Sequence, residues 1–278
     1  MVSILYMTKV AVARVLTFAM VCDLLFWMQK KVLGNNYIRA INYHDTPANT
    51  ADNFEKQLCF YQQHFSPVSL SDLDSFFNSC KWKKDKPGLI ISFDDGYKSN
   101  YGVAAPLLQK YGFTGWFFVS VDFIYTPGIE QAKSYNNSPT MSWDELGELD
   151  KKHVIGCHTR SHHRMTAETT ERELDKEIAQ AKYDLEAKLQ DEIDIFCWCG
   201  GDRQSYSSAA ARYIAKTGYR YSFMTNSAPI LANTERLHLQ RTNIESNWPV
   251  ELVKFQLSGI MDILYTPKRA WVNKITIA

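Results

Sequence analysis

The 278-residue chain has almost no excess of charge of either sign: 31 Lys and Arg stand against 30 Asp and Glu, a formal net charge of +1. That balance excludes a general binder of nucleic acid or of acidic polymers. No run of five like charges, internal repeat or low-complexity segment occurs. A clean transmembrane span is also missing. Residues 10–28 are largely apolar but carry Arg14 and Asp23, charges that a span of about 20 residues through hydrocarbon avoids. A secretory signal needs a small-residue cleavage site, and Cys22-Asp23-Leu24 does not supply one. The remaining reading is an amphipathic helix that lies on a membrane or on the domain itself. Lys30-Lys31 suits its C-terminal end, with Gly34-Asn35 as its stop. Six cysteines (22, 59, 80, 157, 197 and 199) follow no metal-finger spacing, Cys197-x-Cys199 being one residue short. They read as free thiols of a reducing compartment rather than a disulfide framework, which favours a cytoplasmic or membrane-associated location over export.

What is present is an ordinary globular composition, 45% hydrophobic and 22% charged, able to bury a large core. Apolar runs at 38–45, 89–93, 115–120, 154–157, 193–198, 219–225 and 237–244 read as strands. Helices are predicted between and after them, at 49–64, 69–80, 99–111, 142–152, 167–188, 205–217 and 249–264. Ser69-x-x-Asp72 or Ser71-x-x-Asp74 is the capping signature for the second, and Gly218 closes the sixth. Residues 125–140 read as a long loop whose Tyr125 and Tyr135 are candidates to stack on sugar rings. Seven strands alternating with helices in this way indicate an α/β fold with a mainly parallel, barrel-like sheet. The domain is expected over residues 36–278, with residues 1–35 as a helical extension.

Two stretches carry the chemistry. Ile90-Ile91-Ser92-Phe93-Asp94-Asp95-Gly96-Tyr97 ends a buried strand in two adjacent carboxylates. Like charges so close raise each other's pKa unless a cation or donor intervenes, and a metal would do so by taking one carboxylate as a ligand. Cys157-His158-Thr159-Arg160-Ser161-His162-His163 ends another strand with three of the seven histidines. One Asp and two His form an open coordination set with room for water. In parallel barrels the active site gathers at the C-terminal ends of the strands, where His44, Asp94-Asp95, His158 and Gly200-Gly201 all fall.

Phe93-Asp94-Asp95-Gly96 and His158-Thr159-Arg160-Ser161-His162 together resemble the first two motifs of the polysaccharide deacetylase family (carbohydrate esterase family four, the NodB-homology domain). The resemblance extends over residues 38–241 and implies a deformed barrel with fewer than eight repeats. Tyr43-His44-Asp45 resembles a segment that precedes the Asp-Asp motif in the biofilm-polysaccharide type, which implies His44 as general acid. Phe196-Cys197-Trp198-Cys199-Gly200-Gly201 resembles the third motif with Cys199 and Gly200 in place of Pro-Tyr, so Gly200 would offer the backbone N–H that binds the oxyanion. Arg241, in a stretch like a family Arg-x-x-[IV] element, either holds Asp94 ionised through an ion pair or only decorates its strand.

The resemblance thus implies Asp94 as base and Asp95, His158 and His162 as ligands of a divalent metal, for which zinc suits the donor set. The implied activity is removal of N-acetyl groups from an N-acetylhexosamine-containing glycan, with peripheral membrane contact through residues 1–35. Two other readings use the same residues: a metal-dependent phosphoesterase, and a silent glycan-binding module signalled by the altered third motif.

Overall fold

Period-two alternation along the strands decides how this chain closes, because each strand must bury both faces. The computed structural model describes residues 4–18, 21–128 and 138–277. Two helices come first, α1 (Ile4–Phe18) and α2 (Val21–Leu33). Then follow β1 (Ile38–Tyr43), α3 (Ala51–His64), β2 (Ser66–Pro67), α4 (Leu70–Ser79) and β3 (Gly88–Asp94). A π-helical segment leads into α5 (Ala105–Lys110), and β4 (Gly115–Val119), α6 (Trp143–Asp150) and β5 (Val154–Cys157) come next. A helical arm of α7 (Glu171–Leu174), a π-helical segment and α8 (Ala181–Leu189) precedes β6 (Ile195–Cys197). The chain ends with α9 (Ser208–Thr217), β7 (Tyr221–Met224), β8 (Leu239–Asn243), α10 (Val250–Leu257) and α11 (Ile260–Ile275).

Seven strands close into a parallel barrel in the order β1-β8-β7-β6-β5-β4-β3 and back to β1. The eighth, β2, pairs with Gly88 and Leu89 at the start of β3, whereas β4 pairs with Ile91–Asp94 further along. β2 therefore extends the wall below β4. The barrel expected from the alternation, a distorted (β/α) barrel as the resemblance implies, is the architecture observed.

Inward positions form layers. Ile38, Ile90, Trp116, Ile195, Tyr221 and Leu239 fill the lower interior, plugged from beneath by Leu73, Phe76 and Phe77 of α4. One step up lie Ala40, Phe118, Cys197 and Phe223 of the same cluster. Gly156 is required at this level: a Cβ there would stand 2.6 Å from the Phe118 ring. The outward residues Ile41, Tyr43, Ile91, Phe93 and Phe117 pack instead against Phe54, Leu58 and Tyr61 of α3, Leu108 of α5 and Leu146 of α6. Two further steps up each strand reach Asn42, Asp94 and Asn243, with His158 and Thr225 just beyond their strand ends. The top layer is polar.

Several boundaries differ from the sequence expectation. The final helix expected over 249–264 is two helices, broken at Gly259, whose φ of +91° favours glycine, and the second runs on past Pro267. The helix expected from residue 167 starts at Glu171, where Thr170 and Glu173 form a capping box. The single N-terminal helix is a pair, α2 ending before Gly34 at φ +61°. Ser69 and Asp72 cap α4, and Gly218 closes α9 in the left-handed region, as expected. Tyr135 lies outside the described residues, while Tyr125 is half-buried in an isolated bridge to Ser142. All six cysteines are free thiols.

Candidate active site

Asp94 is the last residue of β3 and Asp95 the first beyond it, and the turn between them brings both carboxylates to the barrel mouth. Asp95 adopts φ +73°, Thr159 +62° and His162 +61°, left-handed conformations that cost of order 1–3 kcal/mol each in residues other than glycine. Three such residues in one cleft mark a place where side-chain direction is imposed against backbone preference. Asp94 and Asp95 are 3% and 2% exposed, so neither is relieved by water.

Each carboxylate has its own partner. Asp94 accepts two hydrogen bonds from Arg241, at 2.6 Å from Nη1 and 2.8 Å from Nη2. Arg241 Nη1 also donates to Ser92 Oγ at 3.0 Å, whose hydroxyl donates to the Ile41 carbonyl. Of the two sequence alternatives for Arg241, the ion pair is the one present. Burial would raise the Asp94 carboxyl, but the charges of Arg241, His158 and His44 overcome it and hold the group down at about 2.

Asp95 Oδ1 is buried and accepts no hydrogen bond, although it lies 3.5 Å from His158 Nε2 and 3.2 Å from His162 Nε2. His158 Nδ1 lies 3.0 Å from the Cys197 carbonyl, which can only accept. That bond places a proton on Nδ1 and turns Nε2 toward Asp95. Burial and the neighbouring His158 push the His162 imidazole down to about 4, so it is neutral at pH 7 and able to ligate. An orphaned carboxylate oxygen facing two imidazole nitrogens fits a divalent cation, zinc or another first-row ion.

Two buried thiols stand near the same rings: Cys199 with His158 and His162, and Cys197 with Asp94 and His158, each group having its donor atoms within 4.8 Å of one another. Cys199 Sγ already bonds the His158 carbonyl at 3.3 Å, and burial pushes both thiols well up, so they are weak ligands as they stand. His163, the third histidine of the cluster, turns away to Thr169 Oγ1.

His44 enters from the end of β1, with Nδ1 3.7 Å from Glu245 Oε1. Burial works against its protonated form, but the neighbouring Glu245 carboxylate and the charges of Asp94 and Asp95 outweigh it, pushing the imidazole up to about 9. The ring is 40% exposed, so solvent tempers that pull. A cleft of about 220 Å³ brings together His44, Asp94, Asp95, His158, His162 and Gly200, with Arg241 beneath its floor through Asp94. Asn42, Arg164, Thr225 and Asn243 also line it, and sequence reasoning missed them together with Glu245. Strand parity was the available signal for Asn42, which lies two residues before His44. A larger groove of about 930 Å³, among Phe77, His238 and Asn273 at the opposite end of the barrel, holds no comparable set of donors.

The sequence profile of the polysaccharide deacetylase family matches residues 81–222, just over half of the chain. The chain belongs to the polysaccharide deacetylase family. The matched stretch holds Asp94, Asp95, His158, His162 and Gly200, while His44, which lines the cleft, and Arg241 and Glu245, which meet it through Asp94 and His44, lie outside that stretch. YxkH of Bacillus subtilis, named for the same family, is 24% identical over 144 residues, 51% of this chain. The alignment spans 46% of YxkH's own length. Among solved structures, the Streptococcus pyogenes deacetylase PplD, in complex with acetate, superposes with a TM-score of 0.66 at 18% identity, over 80% of this chain and 98% of that one. A de-N-acetylase from Aggregatibacter actinomycetemcomitans gives 0.65 at 17%, over 80% and 100%. At such identities the likeness is one of fold.

The Arg241–Asp94 pair makes a pH-dependent prediction. Asp94 titrates below its ordinary value of 3.8, so its contribution to stability is present above that pH and is lost as pH falls through about 2. Arg241→Met strands a buried carboxylate and should cost about 3–5 kcal/mol at pH 7. Thermal melts should find that deficit shrinking as pH is lowered below 3.8. An equal deficit at pH 7 and pH 3 would refute the pair's role.

Proposed function

We propose that the chain is a metal-dependent hydrolase that removes N-acetyl groups from an N-acetylhexosamine-containing glycan. The observation that carries this reading is the convergence of a base, an acid and an orphaned Asp–His–His donor set in one cleft of the polysaccharide deacetylase fold. Asp95, His158 and His162 would hold the divalent ion, zinc by their chemistry. When bound, the ion supplies Lewis-acid polarisation of the acetyl carbonyl and acidifies a water.

The chain's own residues supply the rest. Asp94, kept ionised by Arg241, takes the proton of the attacking water. The Gly200 N–H donates to the developing oxyanion, a contribution of roughly 3–4 kcal/mol for one such donor. His44, kept protonated by Glu245, gives its proton to the departing amine. The products are a hexosamine unit and acetate.

Residues 36–278 form the catalytic domain in this reading, and residues 1–35 dock it to a bilayer surface. Among the described residues no helix is long and apolar enough to cross a membrane. Yet Leu24, Trp27, Met28 and Val32 are exposed along one face of α2, and Met7, Val12 and Val15 on α1. Lys31 lies over the Trp27 ring at 5.5 Å, and Lys9 and Arg14 accompany α1. The single acid of the pair, Asp23, is 3.8 Å from Lys254 of α10. Apolar faces with basic companions suit an anionic lipid surface.

Three measurements test these statements. Metal-reconstituted protein should release acetate from N-acetylglucosamine oligomers, Asp95→Ala should lose both metal and turnover, and Asp94→Asn should keep metal while losing about 10²–10⁴ in kcat. Metal bound with no acetate from any glycan would point to a silent binding module, and phosphate release from a generic ester to a phosphoesterase.

The pH profile should fall on its alkaline side as His44 loses its proton near 9, and Glu245→Gln should move that limb down toward the ordinary imidazole value of 6.5. A limb that stays in place in Glu245→Gln would remove His44 from the acid role.

The full chain should float with vesicles of phosphatidylcholine and phosphatidylglycerol, and the Trp27→Ser, Val32→Asp double variant should not. Undiminished flotation of that variant, or an α1–α2 contact that proves to be self-association, would reject bilayer docking.

A further inference from the structure

The third-motif loop of this cleft is built around a cation. Gly200 adopts φ +77°, and a Cβ on it would meet Ser205 Oγ at 2.5 Å, so no side chain projects from this position. The Nε atom of Arg164 lies 3.1 Å from where that Cβ would stand. Arg164 comes from the His158–His162 loop and lines the cleft with Gly200 and Gly201. Where the resembled motif carries a tyrosine, the wall is therefore lined by a guanidinium.

From these contacts we infer that Arg164 is a specificity-determining residue. It selects acetylated glycans that carry an anionic group, a carboxylate or a phosphate, on or next to the sugar being deacetylated. This rests on the deacetylase reading of the cleft. Among the described residues the guanidinium donates one hydrogen bond, at 3.2 Å from Nη1 to Asp202 Oδ2. The two side chains are 55% and 54% exposed, and an ion pair so open to water is weak and readily exchanged for a better acceptor. Five N–H donors in a rigid fork match a carboxylate or phosphate in two-point contact.

The surrounding charges leave this cation available. Asp94 is matched to Arg241, and Asp95 faces the two imidazoles of the donor set. His44 is matched to Glu245 across the cleft. Behind the same loop, Lys268 of α11 bonds the Gly201 carbonyl, so Asp202 is the acid set against two cations on this wall. A wall on which two cations share one exposed acid, beside the reacting centre, is a site for an anion carried by the substrate.

The test compares three N-acetylated oligosaccharides of equal length: neutral, uronate-bearing and phosphate-bearing. The wild type should prefer one of the anionic pair, and which one identifies the group. Arg164→Gln should lower the ratio of kcat/KM for that substrate over the neutral one by about tenfold or more, mainly through KM. Arg164→Lys, which keeps the charge without the fork, should recover part of it. The same preference should weaken at high ionic strength. Binding of the three oligosaccharides to metal-loaded Asp94→Asn, with and without Arg164→Gln, reads selectivity without turnover. Acetate release that is indifferent to substrate charge, or a preference unchanged in Arg164→Gln, overturns the inference. If no glycan releases acetate, the deacetylase reading falls, and the binding comparison still judges Arg164 by itself.

Discussion

Two adjacent buried carboxylates are the constraint that the rest of the structure answers. Like charges buried side by side repel unless a cation or a donor stands beside each. The fold separates their fates. A bidentate pair with Arg241 compensates the first, while the second faces two imidazoles and keeps an oxygen without a hydrogen bond. One carboxylate is held as an anion by a guanidinium, and the other is the one proposed to take a cation. Neither arrangement exists in the isolated strand.

The Arg241 contact also explains why the barrel must close. Arg241 lies on β8 and Asp94 on β3, with β1 between them, so their pairing spans three strands at the seam. Ser92 joins the contact and bonds back to β1 through the Ile41 carbonyl. On the outer face of the same seam, Arg39 of β1 makes a two-point contact with Asp262 of α11, at 2.7 and 2.6 Å. Buried ion pairs of this kind add little net stability over apolar packing, but breaking one is costly. Their effect here is to make one strand order and one register much better than their neighbours.

What could be read from the sequence was what is local along the chain. The Asp-Asp strand end and the His-x-x-x-His turn each hold their chemistry within a few residues, and strand parity puts Asp94 on an inward position. The alternation of strands and helices gave the barrel for the same reason. Glu245 and Arg164 were not legible, because nothing near them in the chain announces a partner: one meets His44 and the other Gly200 only after closure. Arg241 remained two readings on the same ground. β2 was missed because it is two residues long and contains Pro67, a residue that ordinarily argues against a paired strand. The break at Gly259 was passed over because apolar periodicity continues across it.

The altered third motif is the place where sequence and structure differ most in meaning. Read from the chain alone, Cys199-Gly200 in place of Pro-Tyr is a loss, an aromatic wall removed from a sugar site. In the fold it is a replacement with its own logic. Ser205, bonded to Asp202, occupies the space beside Gly200, and the left-handed backbone there favours glycine. Asp202 also meets Arg164 in an exposed pair beside the loop, and Lys268 bonds the Gly201 carbonyl from behind. The backbone N–H of residue 200 is retained, the donor proposed for the oxyanion, while the adjoining surface carries the Arg164 guanidinium. Glycine here is tied to the positions of four other side chains. Restoring a tyrosine at 200 alone would collide with Ser205 before it rebuilt a sugar platform.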